Sequence, residues 1–174
     1  MRCARADRLT AVERKSSFPP VIAPDIRVLI LGSLPGEASL AAGRYYAHPQ
    51  NQFWRLVGGV IGRDIVALDY ETRLTALLCA SIGLWDTVAS ARRAGSLDGA
   101  LREVEQAALP ALVATLPRLR AIGFNGATAA RVGRRALGPT ALTLIDLPSS
   151  SPAHARLTLS EKAERWKSLR GFLD

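Results

Sequence analysis

The chain has 174 residues, enough for one domain with a real core and too few for two ordinary ones. Apolar residues make up 48% and charged residues 22%, the net charge is +8 and the pI is near 10.5; this is a globular balance whose expected partner is a polyanion, nucleic acid first. Cys3 and Cys79 are the two cysteines, which excludes all-cysteine zinc and iron–sulfur sites built on four thiolates, and no apolar run approaches the ~20 residues of a membrane span.

The first stretch, 1–25, is basic, lacks the apolar segment of a secretory signal, and is expected to be a loose arm ahead of a single α/β domain over 26–174. A cytoplasmic bacterial protein is the simple expectation. "IRVLILGSLPG" reads as a buried parallel strand running into a loop of small residues. "NQFWRLVGGVIG" reads as a helix, and "DYETRLTALLCASIG" as a second, capped by Asp69 and stopped at Gly83. "LWDTVAS" is a short second strand. Residues 97–116 read as a helix broken near Pro110. "LRAIGFNG" is a third strand, and "ATAARVGRRAL" is a helix closed by Gly138-Pro139. The last segment gives a fourth strand, a Ser/Pro loop and a terminal helix with Ser160 as its N-cap.

Strands alternating with helices imply a mostly parallel four-stranded sheet with helices on both faces, a three-layer α/β sandwich. Such sheets bind ligands at the C-terminal ends of their strands. Those ends lead into "GSLPG", "WDTV", "FNG" and "LPSSSPAHAR". "GRYYAHPQNQFWRL", 43–56, follows the first of them closely enough to fold over it. GSLPG is neither a Walker loop nor a GxGxxG fingerprint, but its small residues let a ligand approach the backbone. His48 and His154 both lie in loops, and two histidines do not make a metal site. Asp86 fits either a strand-end hydrogen bonder or a site residue. Trp54, Trp85 and Trp166 read as core. Asn amides read base edges and aromatic rings stack on bases, so the constellation suits a pocket for one nucleobase.

On "GSLPG", "YYAHPQNQFW", "GLWDTVASARRAGSLD", "GFNG" and "LPSSSPAHAR", over about residues 27–170, the chain resembles the uracil-DNA glycosylase superfamily, nearest its hypoxanthine and mismatch-uracil branches. The resemblance implies base excision. A deaminated base, uracil first and hypoxanthine second, is flipped out of DNA and its N-glycosidic bond hydrolysed to leave an abasic site, by a monomer with no metal or cofactor. It implies a base pocket from Gly32, Ser33, Leu34, Pro35, Gly36, Tyr46, Phe53, Asp86 and Asn125, with Tyr46 stacking on the base. Asn51 and His154 fall at catalytic positions. Ser149, Ser150, Ser151, Pro152, Ala153, His154, Ala155 and Arg156 resemble the loop that enters the minor groove and plugs the vacated stack.

One residue departs from the family pattern. The third residue of the first motif, often Asp or Asn in relatives, is Leu34 here and does no polar chemistry. The resemblance then leaves Asn51 to orient the water. The alternatives are a hypoxanthine-preferring enzyme, a silent protein that grips damaged or abasic DNA, and an enzyme of free nucleosides, which the basic charge disfavours.

Overall fold

A computed structural model describes residues 12–174. Four parallel strands form the central sheet: β2 (Val28–Gly32), β3 (Ile82–Asp86), β6 (Ala121–Asn125) and β7 (Thr143–Leu147), in the order β3-β2-β6-β7. The period of two along β2 divides its side chains between two cores. Val28 and Ile30 join the core on one face, with Phe53, Trp54, Leu56 and Val57 of α2 (Phe53–Ile61), Leu77 of α3 (Tyr70–Cys79) and Trp166 of α6 (Leu159–Trp166). Leu29 and Leu31 join the other, with Leu109 of α4 (Leu109–Ala114) and Ala129 and Ala130 of α5 (Ala127–Leu137). The three-layer architecture read from the sequence is the one observed. Among the described residues no helix is long and apolar enough to cross a membrane.

A second, antiparallel sheet was not expected. It consists of β1 (Arg14–Ser16), β4 (Val88–Arg92) and β5 (Arg102–Gln106), with β4 central. The single strand read over 84–90 is therefore two strands, β3 and β4, with Thr87 between them and a change of sheet. Residues 102–106 are strand and not helix, and Pro110 does not break a helix but sits in the first turn of α4, where its missing N–H costs nothing. The terminal helix is capped by Thr158 rather than Ser160, in a reciprocal capping box with Glu161. Asp69 caps α3 as expected.

The loose arm also needs correction where it is described; residues 1–11 lie outside the described residues. Arg14, Lys15 and Ser16 pair with Arg92, Ala91 and Ser90. Val21 bridges to Leu84, and the Trp85 indole N–H donates to the Phe18 carbonyl at 3.0 Å. Phe18 lies edge-on to Tyr45, with centroids 5.2 Å apart. This segment packs because its backbone donors and acceptors find partners on β3 and β4, which a charge count does not register.

Candidate active site

The C-terminal ends of β2, β3 and β6 open into a cavity of about 510 Å³. Its wall includes Gly32 to Gly36 after β2, Asp86 at the end of β3, and Asn125 at the end of β6. Tyr46, His48 and Asn51 from the 43–52 loop, and Ser149 to His154 after β7, complete it together with Ser96, Leu97 and Asp98. The structure thus brings together nearly all the residues expected from sequence. Phe53 is the exception among pocket residues: it is fully buried and stands behind Tyr46. Ala155 and Arg156 do not line the cavity and are exposed on the loop beyond it.

Register creates the closed end. Gly32 of β2 pairs with Asp86 of β3. A Cβ at Gly32 would lie 2.6 Å from Asp86 Oδ1 and 3.1 Å from the Tyr46 hydroxyl. Only glycine leaves room for both groups there. Asp86 is buried, and Oδ2 accepts a 2.6 Å hydrogen bond from Ser17 Oγ of the N-terminal segment. Burial pushes its carboxyl up to about 7, and the nearby Asp98 charge adds to the shift; the Ser17 hydroxyl and Arg93 oppose it.

Asp98 is a cavity residue that sequence reasoning missed. It follows β4 in a loop, lines the same cavity, and accepts a 2.7 Å hydrogen bond from Ser33 Oγ. Burial raises its pKa, against the pull of Ser33, Arg93, Thr128 and Arg131. Leu34 offers the cavity no polar side-chain group. Its side chain belongs to a buried cluster with Val88, Ala91 and Val132. Carboxylates reach the cavity instead from β3 and from the β4–β5 loop.

Tyr46 sits in the left-handed region, at φ 53°, an uncommon conformation for a residue with a side chain. Trp54 Nε1 donates to its carbonyl at 3.2 Å, and the next peptide N–H, of Ala47, donates to Ser39 Oγ at 3.1 Å. Phe53 covers one face of the Tyr46 ring, so a planar ligand stacks only on the other.

Three of the four hydrogen-bonding positions of Asn125 are engaged. Its amide donates to the Tyr46 hydroxyl at 3.2 Å and to Ser150 Oγ at 2.9 Å, and its carbonyl accepts from Ser150 N at 2.8 Å. These bonds brace Tyr46 and the serine loop. Asn51 is half engaged. Its Oδ1 accepts from Phe53 N at 2.9 Å, closing the start of α2. Its amide N–H groups have no protein acceptor among the described residues and the residue lines the cavity.

The Ser149–Arg156 loop is tied down at its root. Gln52 N donates to the Ser150 carbonyl at 3.0 Å, and Trp166 Nε1 to the Pro148 carbonyl at 3.0 Å. The buried Lys162 donates to Gln52 Oε1 at 2.9 Å. His154 is half-buried, closes a turn onto the Ser151 carbonyl, and stands between the cavity and a neighbouring groove. That groove carries Arg131, Arg134 and Arg165. Arg134 pairs with Asp146 at 2.8 Å. The rim is therefore suited to a polyanion. Among the described residues, no three His, Cys, Asp or Glu side chains cluster as a metal site.

Residues 19–170 match the family model of the uracil DNA glycosylase superfamily. The chain is 39% identical over 152 residues to the hypoxanthine DNA glycosylase of Methanosarcina barkeri (strain Fusaro / DSM 804), covering 86% of this chain and 94% of that one. It is 37% identical over 155 residues to the hypoxanthine DNA glycosylase of Methanosarcina acetivorans, covering 89% and 97%. The solution NMR structure of a candidate uracil DNA glycosylase from Methanosarcina acetivorans superposes with a TM-score of 0.80 at 36% identity, covering 92% of this chain and 99% of that one. With the fold, the motif order and these likenesses in agreement, the chain belongs to the uracil DNA glycosylase superfamily and is a DNA glycosylase.

Proposed function

We propose that this glycosylase releases hypoxanthine from deaminated DNA ahead of uracil, reversing the order expected from sequence. The observation that carries this reading is the buried Asp86 carboxyl at the closed end of the cavity, held near neutrality. A carboxyl that keeps its proton near pH 7 serves as a general acid. Hypoxanthine offers basic ring nitrogens to receive that proton; uracil offers only carbonyl oxygens. An acid at the base end therefore helps the purine leave more than the pyrimidine. The two curated relatives named above carry hypoxanthine in their names, which supports the same order.

The chemistry divides along the cavity. The base enters the closed end and stacks on the free face of Tyr46. As the C1′–N9 bond breaks, its electron pair moves to the base and positive charge grows on the sugar. Asp86 gives its proton to a ring acceptor, so the base leaves neutral. Toward the mouth, Asp98 takes a proton from the water that attacks C1′, and the free Asn51 amide donates to that water's oxygen. The proton gained by Asp98 replaces the one lost by Asp86, and the products are free base and an abasic sugar. Arg131 and Arg165 offer cations to phosphates beside the cavity.

The test is excision from labelled oligonucleotides carrying one deoxyinosine or one deoxyuridine, read by alkali cleavage under single-turnover conditions. Deoxyinosine is expected to be cleaved faster by about tenfold or more, a difference of roughly 1.4 kcal/mol in barrier. Equal or faster cleavage at deoxyuridine overturns the preference.

A further inference from the structure

The geometry points to Leu97 as an apolar wedge that enters the base stack of duplex DNA beside the everted nucleotide; this rests on the glycosylase reading above. Leu97 is 63% exposed, more than any other large apolar side chain among the described residues. A lone exposed leucine is ordinary on a protein surface. This one borders the catalytic cavity, and the loop that carries it is fastened on both sides.

The buried Arg93 guanidinium donates to the Gly95 carbonyl at 2.9 Å, to the Leu34 carbonyl at 3.2 Å and to the Pro35 carbonyl. Ser96 Oγ accepts at 2.9 Å from the N–H of Glu37, the first residue of α1 (Glu37–Ala42). On the other side, Asp98 is held by Ser33 Oγ. Both neighbours of Leu97 are thus anchored to the segment that follows β2, Asp98 at Ser33 and Ser96 at Glu37, while Leu97 itself stays out of every buried cluster. A stiff loop presenting one unpacked aliphatic side chain loses little entropy when that side chain is inserted into a partner.

The duplex is the occupant that the neighbouring cavity selects. Taking a base out of the stack leaves a gap, and proteins that unstack DNA hold it open with apolar side chains such as leucine. The serine loop on the same cavity offers Ser151, Pro152, Ala153 and His154, with no bulky aliphatic group. Leu97 supplies that group from a different loop.

The test compares Leu97→Ala and Leu97→Met with wild type on hypoxanthine in paired and single-stranded oligonucleotides. A second readout uses 2-aminopurine next to the lesion in the duplex. Leu97→Ala is expected to lower single-turnover excision from the duplex by about tenfold or more, to stay within about threefold on the single strand where no stack is opened, and to lose the 2-aminopurine rise; Leu97→Met is expected to restore duplex excision to within about threefold. The melting temperature is expected to stay unchanged. Equal losses on both strand forms, or a duplex rate within about threefold of wild type, would overturn the wedge while leaving the glycosylase reading intact. A wild-type protein that excises hypoxanthine from neither form would overturn both.

Discussion

The ring of Tyr46 lies flat on the ring of Phe53, with centroids 3.7 Å apart and planes 8° from parallel. Phe53 is in turn held edge-on by Trp54 at 5.1 Å and Trp166 at 5.8 Å. The ring proposed to stack on the base is thus backed by a second ring that is itself locked in the core. A base–aromatic stack contributes roughly 1–3 kcal/mol. Tyr46→Ala is expected to weaken binding of a duplex carrying a hydrolysis-resistant deoxyinosine analogue by that amount, and Tyr46→Phe to weaken it little. Phe53→Leu, which keeps volume but loses the flat backing, should fall between them. Binding titrations at fixed salt check the order; Tyr46→Phe as damaging as Ala would give the hydroxyl, not the ring face, the larger part.

The second prediction follows from Asp86. Its folded pKa stands at about 7 against an ordinary 3.8. The folded protein keeps this proton at pH values where the unfolded chain has released it. Its contribution to stability therefore declines as pH rises between those two values. Asp86→Asn is expected to be more stable than wild type at pH 8 by roughly 1–3 kcal/mol, and to excise hypoxanthine about 10²–10³-fold more slowly. The wild-type single-turnover rate should fall as pH rises through about 7, and that limb should vanish in the variant. A limb that persists in Asp86→Asn would assign the acid elsewhere.

Asn51 separates a structural from a chemical contribution. Its Oδ1 closes the start of α2 through Phe53 N, and the residue lines the cavity. Asn51→Ala loses both and should cost about 1 kcal/mol of stability as well as rate. Asn51→Asp keeps the acceptor and loses the donors. It should melt near wild type yet react about 10²–10³-fold more slowly, the cost of one lost transition-state donor. Thermal melts beside single-turnover rates decide it; an Asp variant within about threefold of wild type would remove Asn51 from the chemistry.

Asn125 carries the fourth prediction. It ties the Tyr46 hydroxyl and both the backbone and the side chain of Ser150 to one amide. Asn125→Ala leaves the Ser150 N–H without its partner and should cost about 1–3 kcal/mol, seen as a lower melting temperature. Excision should slow on paired and single-stranded DNA alike, because the brace lies on the base side of the cavity. A variant that melts like wild type would mean that the brace is dispensable.

The central sheet was legible because its strands are apolar runs ending in small or amide residues, and the site because the loops after them are compositionally odd. The second sheet was not. β5 is REVEQ, exposed along its whole length, so no apolar alternation marks it, and β1 is the three residues RKS. Ser17 was unreadable for the same reason: its partner, Asp86, is 69 residues away and nothing local records the pairing. Asp98 sits in "GSLDG", which reads as a turn. Its one available signal was its place within the motif block that begins at Gly83. Leu34 was legible as an apolar residue, and its consequence was misjudged, because a motif position says nothing about carboxylates brought in from other elements.

The proposed reaction is hydrolysis of one glycosidic bond by side chains. The direct measurement is mass spectrometry of the products from a deoxyinosine duplex incubated with the protein in excess EDTA. Free hypoxanthine and an intact strand with a single abasic site are expected, at a rate that chelation leaves unchanged. Strand scission without free base, or loss of the reaction in EDTA with recovery on adding a divalent cation, would contradict it.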